Sequence, residues 1–122
     1  MLVIDSATVV GSRPDGWWKD RAGAARTLVA RVVAAVTTGA LTPPVVLVLE
    51  GAARPGAAEE DNGDGVRIVH APGQGDDTVV DVATAAVDPV VVVTADRALG
   101  ERCRAAGAEV VGPNWLLDRL PP

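Results

Sequence analysis

Two stretches of this chain, VVLVLE at residues 45–50 and VVVVT at residues 90–94, are aliphatic at every position until a polar residue closes the run. A strand with one solvated face alternates apolar and polar residues, whereas an unbroken apolar run must be covered on both faces. Two such runs point to a parallel sheet buried between helices. Leu2–Asp5 and Val66–His70 read as two further strands and Glu109–Val111 as a weaker one.

Helical periodicity fills the gaps. After Trp18 the positions Ala22, Ala25, Val29, Val32 and Val36 recur at three and four, with Asp20, Thr27, Arg31 and Thr38 opposite. Asp15 is the expected N-cap and Gly39 the stop. A second helix is expected from about Asp77 to Val87, ended by Pro89, and a third over about Arg97–Ala106, ended by Gly107. A short last helix opens at Pro113 and carries Trp115, Leu116 and Leu120. SATVVGSRPDG after Asp5 reads as a loop, and Gly51–Gly65 as a mobile surface loop with a solvated acidic run of Glu59, Glu60, Asp61 and Asp64. The expected fold class is α/β: a three-layer α/β/α sandwich on a mostly parallel sheet of four to five strands, with residues 1–122 as one domain.

A chain of 122 residues can bury enough surface to fold without a disulfide or metal staple. With 48% apolar residues and no Phe or Tyr, its core must be built from Val, Ala and Leu. Cys103 is the single cysteine, which excludes an internal disulfide and a cysteine zinc site, and it reads as a small buried apolar residue. No segment has the roughly 18 apolar residues of a membrane span, and MLVID lacks the basic region of a signal peptide. The expectation is a cytoplasmic protein with no membrane partner. The net charge of −5 argues against a broad electrostatic grip on nucleic acid, unless some acids hold divalent cations.

The acids have a pattern. In an open parallel sheet, ligands bind beyond the carboxyl ends of the strands. There the first strand delivers Asp5, the second Glu50, the third leads through His70 and a glycine turn to Asp76 and Asp77, and the fourth ends in Thr94-Ala95-Asp96. Asp96 and either member of the Asp76–Asp77 pair also suit helix capping. Capping does not explain Asp5, with a loop expected after it, or Glu50, since Glu is a poor N-cap. Crowded carboxylates raise one another's pKa unless a cation joins them. Oxygen donors with one histidine favour Mg²⁺ or Mn²⁺, and phosphodiester hydrolysis is the chemistry such a cluster serves most naturally. Asp76 continues the apolar stripe Val80, Ala83, Val87, and Asp77 the polar stripe Asp81, Thr84, Asp88. Asp76 therefore points inward if the helix includes it, and Asp77 takes over as ligand if residue 76 is the cap.

Four short motifs in register, VIDSATVV, VLVLEGA, GQGDDTVV and VVVVTADRAL, resemble the PIN/NYN superfamily of metal-dependent ribonucleases, in particular its YacP-like NYN branch. The likeness spans nearly the whole chain. It implies a PIN-like fold, a pocket for one or two Mg²⁺ or Mn²⁺ ions, and cleavage of single-stranded or structured RNA. By position it makes Asp5, Asp96 and one of Asp76 and Asp77 the catalytic metal ligands. Glu50 would be an outer or second-metal ligand, and Thr8 and Thr94 positioning residues. Thr8 stands where the pattern expects Asn, and Glu50 where it expects the shorter Asp.

Arg13, Lys19, Arg21 and Arg97, with Arg102, are candidates to contact RNA or are ordinary surface charge. Trp17 and Trp18 offer a stacking platform, with Trp18 the one expected in the core. His70 reads as a structural histidine near the site, or as a general acid. The rival of another class is a degenerate PIN/NYN-like domain that binds RNA or a protein partner without cleaving; a homodimer or a protein partner is a further expectation on either reading. Haloacid-dehalogenase-like phosphatases need a second acid where Ala7 stands, receiver domains need a late lysine whereas Lys19 is the sole lysine, and no P-loop is present.

Overall fold

A computed structural model describes residues 1–61 and 65–122. Its strands are β1 (Leu2–Asp5), β2 (Val45–Leu49), β3 (Glu60–Asp61), β4 (Val66–His70), β5 (Val91–Val93) and β6 (Glu109–Val111). Its α-helices are α1 (Ser6–Gly11), α2 (Arg21–Thr38), α3 (Gly75–Ala85), α4 (Arg97–Ala105) and α5 (Pro113–Leu117). The strands form one six-stranded sheet in the order β3-β4-β2-β1-β5-β6, parallel throughout except for the β3–β4 pair.

Both faces are covered, as the unbroken aliphatic runs require, and every residue of β2 is buried. Leu2, Ile4, Val45, Leu47 and Val93 pack with Leu28 and Val32 of α2 and Leu116 of α5. Val3, Val46, Val48 and Val92 pack with Val79 of α3 and with Leu99 and Cys103 of α4. The period-two pleat thus sends alternate residues of β1 into two separate cores. The chain runs from β1 to β2 and β4 on one side, then crosses through α3 to β5 on the other, which opens a crevice at the carboxyl end of β1.

Several boundaries differ from the sequence expectation. The segment after Asp5 is a short helix, α1, because Val9 is drawn into the core beside β1. Trp17–Lys19 form a separate 3₁₀ turn, and α2 is capped by Asp20, whose Oδ1 accepts the Gly23 N–H at 2.8 Å, not by Asp15. Gly51–Gly65 is not a plain loop. Gly51–Gly56 form a 3₁₀ helix packed on α2, and Glu60–Asp61 add the antiparallel edge strand, making six strands rather than four to five. Glu59 is not merely solvated, since its carboxylate accepts the His70 N–H at 2.8 Å; Asp64 lies outside the described residues. Val87 falls beyond α3 and is fully exposed. Trp18 is 54% exposed, and Trp17 is the half-buried member of the pair. Among the described residues no helix is long and apolar enough to cross a membrane.

Candidate functional site

Asp5 closes the central strand and is only 3% exposed. It stands at the N-cap position of α1, yet its side chain makes no capping bond. Instead Oδ2 accepts the Thr94 hydroxyl at 2.8 Å and the Thr8 hydroxyl at 3.1 Å. Both bonds fall on one oxygen, so Oδ1 has no protein hydrogen bond among the described residues. Burial pushes the Asp5 carboxyl above its usual range; the two threonine bonds act against this, and the charges of Glu50 and Asp76 add to it.

The threonines tie β1 to the β5–α4 turn. The Thr94 hydroxyl accepts the Asp96 N–H at 3.0 Å, and the Thr8 hydroxyl accepts the Ala95 N–H at 3.3 Å. The two hydroxyls lie 3.4 Å apart. Thr8 therefore both donates and accepts with a single oxygen, taking on the two functions of an amide that the sequence pattern would lead one to miss. Asp96 accepts the Leu99 N–H at 3.0 Å and so caps α4.

Glu50, just past β2, is half-buried and accepts the Gly75 N–H at 2.8 Å, the first residue of α3. The carboxylate thus sits at the positive end of that helix, reaching it from across the sheet edge. A Cβ at Gly75 would lie 3.3 Å from Glu50 Oε1, so the Glu50 side chain would have to shift slightly to admit one. Since α3 begins at Gly75, Asp76 is inside the helix and half-buried, the orientation expected if the helix includes it. Burial, then the charges of Asp96 and Glu50, raise its pKa; Arg102 lowers it and Asp77 adds a smaller increase. Asp77 is exposed and bound outward to Arg102 at 2.8 Å.

Asp5 thus lies within electrostatic reach of Glu50 and Asp76, and Asp76 within reach of Glu50 and Asp96, along the carboxyl edge. Asp77 turns away from them. The donor set is hard oxygen, with a free oxygen on buried Asp5, which fits Mg²⁺ or Mn²⁺ in kind. Among the described residues, however, no three of the His, Cys, Asp and Glu side chains stand close enough to form a ready-made cage around an ion. His70 does not join the acids: its Nε2 lies 2.6 Å from the Ala57 carbonyl, fastening β4 to the segment before β3.

Arg13, Lys19, Arg21 and Arg97 are exposed, and the Arg102–Asp77 contact is the only ion pair among the described residues. Arg21 stands over the Trp17 ring at 5.3 Å. Sequence reasoning missed Ser6. It is 2% exposed, and its hydroxyl is buried with no hydrogen-bond partner among the described residues. Its only sequence signal is its place beside Asp5.

A mostly parallel six-stranded sheet covered by helices on both faces is an α/β/α architecture, and solved structures share it. The crystal structure of Rae1 (YacP) from Bacillus subtilis is similar to this chain with a TM-score of 0.75 and 17% sequence identity, over 97% of this chain and 71% of that one. A mutant of the same protein gives a TM-score of 0.66 at 16% identity, over 96% of this chain and 72% of that one. At such identities the likeness is one of fold. No protein-family model matches the chain, and no curated protein sequence matches it.

Proposed function

We propose that the chain is a Mg²⁺- or Mn²⁺-dependent ribonuclease acting on single-stranded or structured RNA. The observation that carries this reading is the buried Asp5 carboxylate at the crevice beside β1, with the charges of Glu50 and Asp76 acting on it and those of Glu50 and Asp96 acting on Asp76. The YacP-like fold supports an RNA-related role. Asp5, Asp76 and Asp96 would hold the ion, with Glu50 an outer ligand. Asp76 is preferred over Asp77 because Arg102 already engages Asp77 on the outside. Thr94 and Thr8 orient Asp5 and fix the turn that carries Asp96. A divalent ion held there would polarise the phosphodiester and activate a water for in-line attack. The exposed cations Arg13, Lys19, Arg21 and Arg97 would offset the acidic net charge toward RNA.

The second reading is a domain that binds RNA or a protein without cleaving it. Its support is the absence of a closed three-ligand cage among the described residues, together with Thr8 in place of Asn. Cleavage of single-stranded RNA in Mn²⁺, in EDTA, and with Asp96→Asn separates the two. Asn caps a helix as well as Asp does, so the variant keeps α4 while losing a charged ligand. Metal-dependent cleavage lost in Asp96→Asn is expected; wild-type cleavage no greater than that of the variant removes the nuclease reading.

A further inference from the structure

Next to the acids lies a cleft of about 270 Å³ whose walls include Ser6, Ala7, Trp17, Arg21, Glu50 and Ala53. This is below the roughly 300–1,000 Å³ of pockets for drug-sized ligands, so it suits a single ring system rather than a length of chain. One wall is the Trp17 indole with the Arg21 guanidinium over it. Glu50 is shared with the acidic edge, and the buried, unpartnered Ser6 hydroxyl directly follows Asp5.

The chemistry of the walls narrows the ligand. One cation, Arg21, is offset by one anion, Glu50, so a bare phosphate gains little here. A planar neutral group fits better, stacked on an aromatic and a guanidinium and presenting both donors and acceptors along its edge. Ser6 can donate or accept, Glu50 accepts, and Arg21 donates. Buried hydroxyls are normally satisfied, and the Ser6 hydroxyl is the one buried side-chain polar atom among the described residues without a hydrogen-bond partner. From these walls we propose that the cleft is a subsite for one unpaired nucleobase, with Trp17 as its stacking surface and Ser6 and Glu50 reading its edge. The RNA backbone would then be held through the divalent ion the acids would bind, with a splayed-out base beside Asp5.

This inference rests on RNA as the ligand of the acidic edge but not on its being cleaved. The test is therefore a binding experiment in EDTA. The whole chain is titrated with each of the four nucleosides, with ribose, and with N-acetyltryptophanamide, following the Trp17 indole and Ser6 amide signals by NMR. Saturable shifts with at least one nucleoside and none with ribose are expected. Ala7→Leu narrows the cleft from the exposed face of α1 and should weaken nucleoside binding about tenfold, the scale of one lost stacking contact. Ser6→Ala should weaken it several-fold with no loss of melting temperature. Nucleoside binding that survives Ala7→Leu, or ribose or N-acetyltryptophanamide binding as well as nucleosides, overturns the subsite. Nucleoside binding as expected without RNA cleavage keeps the subsite and removes only the nuclease reading.

Discussion

The Thr94 hydroxyl donates to Asp5 Oδ2 at 2.8 Å while accepting the backbone N–H of Asp96 at 3.0 Å. One oxygen thus joins the end of the central strand to the start of α4 and sets two of the candidate ligands relative to each other. Thr94→Val keeps the shape but leaves the Asp96 N–H without this acceptor and removes a donor from buried Asp5. A destabilisation of about 1–3 kcal/mol is expected in urea unfolding, with the Asp5 titration moved further upward in NMR. Thr94→Ser should restore both.

Asp5 and Asp76 carry pKa values raised by burial and by neighbouring acids. In the window between the unfolded carboxylate value of about 3.9 and the raised folded value, the native state binds more protons than the unfolded one. The stability these two groups contribute is fully present below the unfolded pKa and is lost as pH rises through the folded pKa. In EDTA, Asp5→Asn should therefore raise the melting temperature at pH 7 by a few degrees and flatten its slope against pH. It also keeps an acceptor for Thr94 and Thr8. Cleavage activity is expected to vanish in the same variant. A fall in melting temperature at pH 7 would show that the carboxylate is a structural anchor instead.

The adjacent aspartates separate by role. Asp77 is 83% exposed at its side chain and bonded to Arg102 outside the crevice, whereas Asp76 faces the other acids. Asp77→Asn should cost no more than about 1 kcal/mol, the usual worth of a surface ion pair, and leave RNA cleavage within a few-fold of wild type. Asp76→Asn should leave the fold intact and reduce cleavage by about a hundredfold or more, the effect of losing a transition-state charge partner. Equal losses from both variants would contradict this division.

Much of this organisation was legible in the chain because it depends on local rules. Short β-branched runs closed by a polar residue read as strands buried on both faces, so the parallel sheet was legible from VVLVLE and VVVVT. The stripe through Asp76 and Val80 gave the inward orientation once the helix start was known. What was not legible depended on contacts far apart in sequence. Asp20 rather than Asp15 caps α2 because the Trp17–Lys19 turn intervenes, and periodicity carries no information about such a turn. Trp18 fits the apolar stripe of α2 but lies before its first residue, so it is exposed. The Glu50 bond to Gly75 spans 25 residues, and the Thr94 bond to Asp5 spans 89. No local pattern announces either.

Gly56 shows how tightly the segment after Glu50 is seated. A Cβ at this position would collide with the backbone carbonyl of Ala22 and press on the Ala25 methyl. Backbone cannot yield as a flexible side chain does, so Gly56→Ala should force the 3₁₀ helix off α2 at a cost of about 1–3 kcal/mol. Because Glu50 leads into this helix, its bond to Gly75 should loosen as well. Faster hydrogen exchange at the Gly75 amide, relative to α4 amides in the same variant, is the expected reading. An unchanged Gly75 rate alongside lower global stability would separate the packing effect from the site.

Thr8 stands where the resembled family carries Asn, and its hydroxyl lies 3.1 Å from Asp5 Oδ2 while accepting the Ala95 N–H at 3.3 Å. If these two bonds are what the position supplies, Thr8→Asn should preserve them with an amide and keep cleavage within a few-fold of wild type. Thr8→Val should remove both, leave α1 in place, and reduce kcat by about tenfold or more, because Asp5 and the Ala95–Asp96 turn lose one of their two ties. Michaelis–Menten kinetics on a single-stranded RNA at saturating Mn²⁺ distinguish this from a binding defect. A loss confined to KM would place Thr8 in RNA contact, and full activity in Thr8→Val would leave Thr94 as the sole residue orienting Asp5.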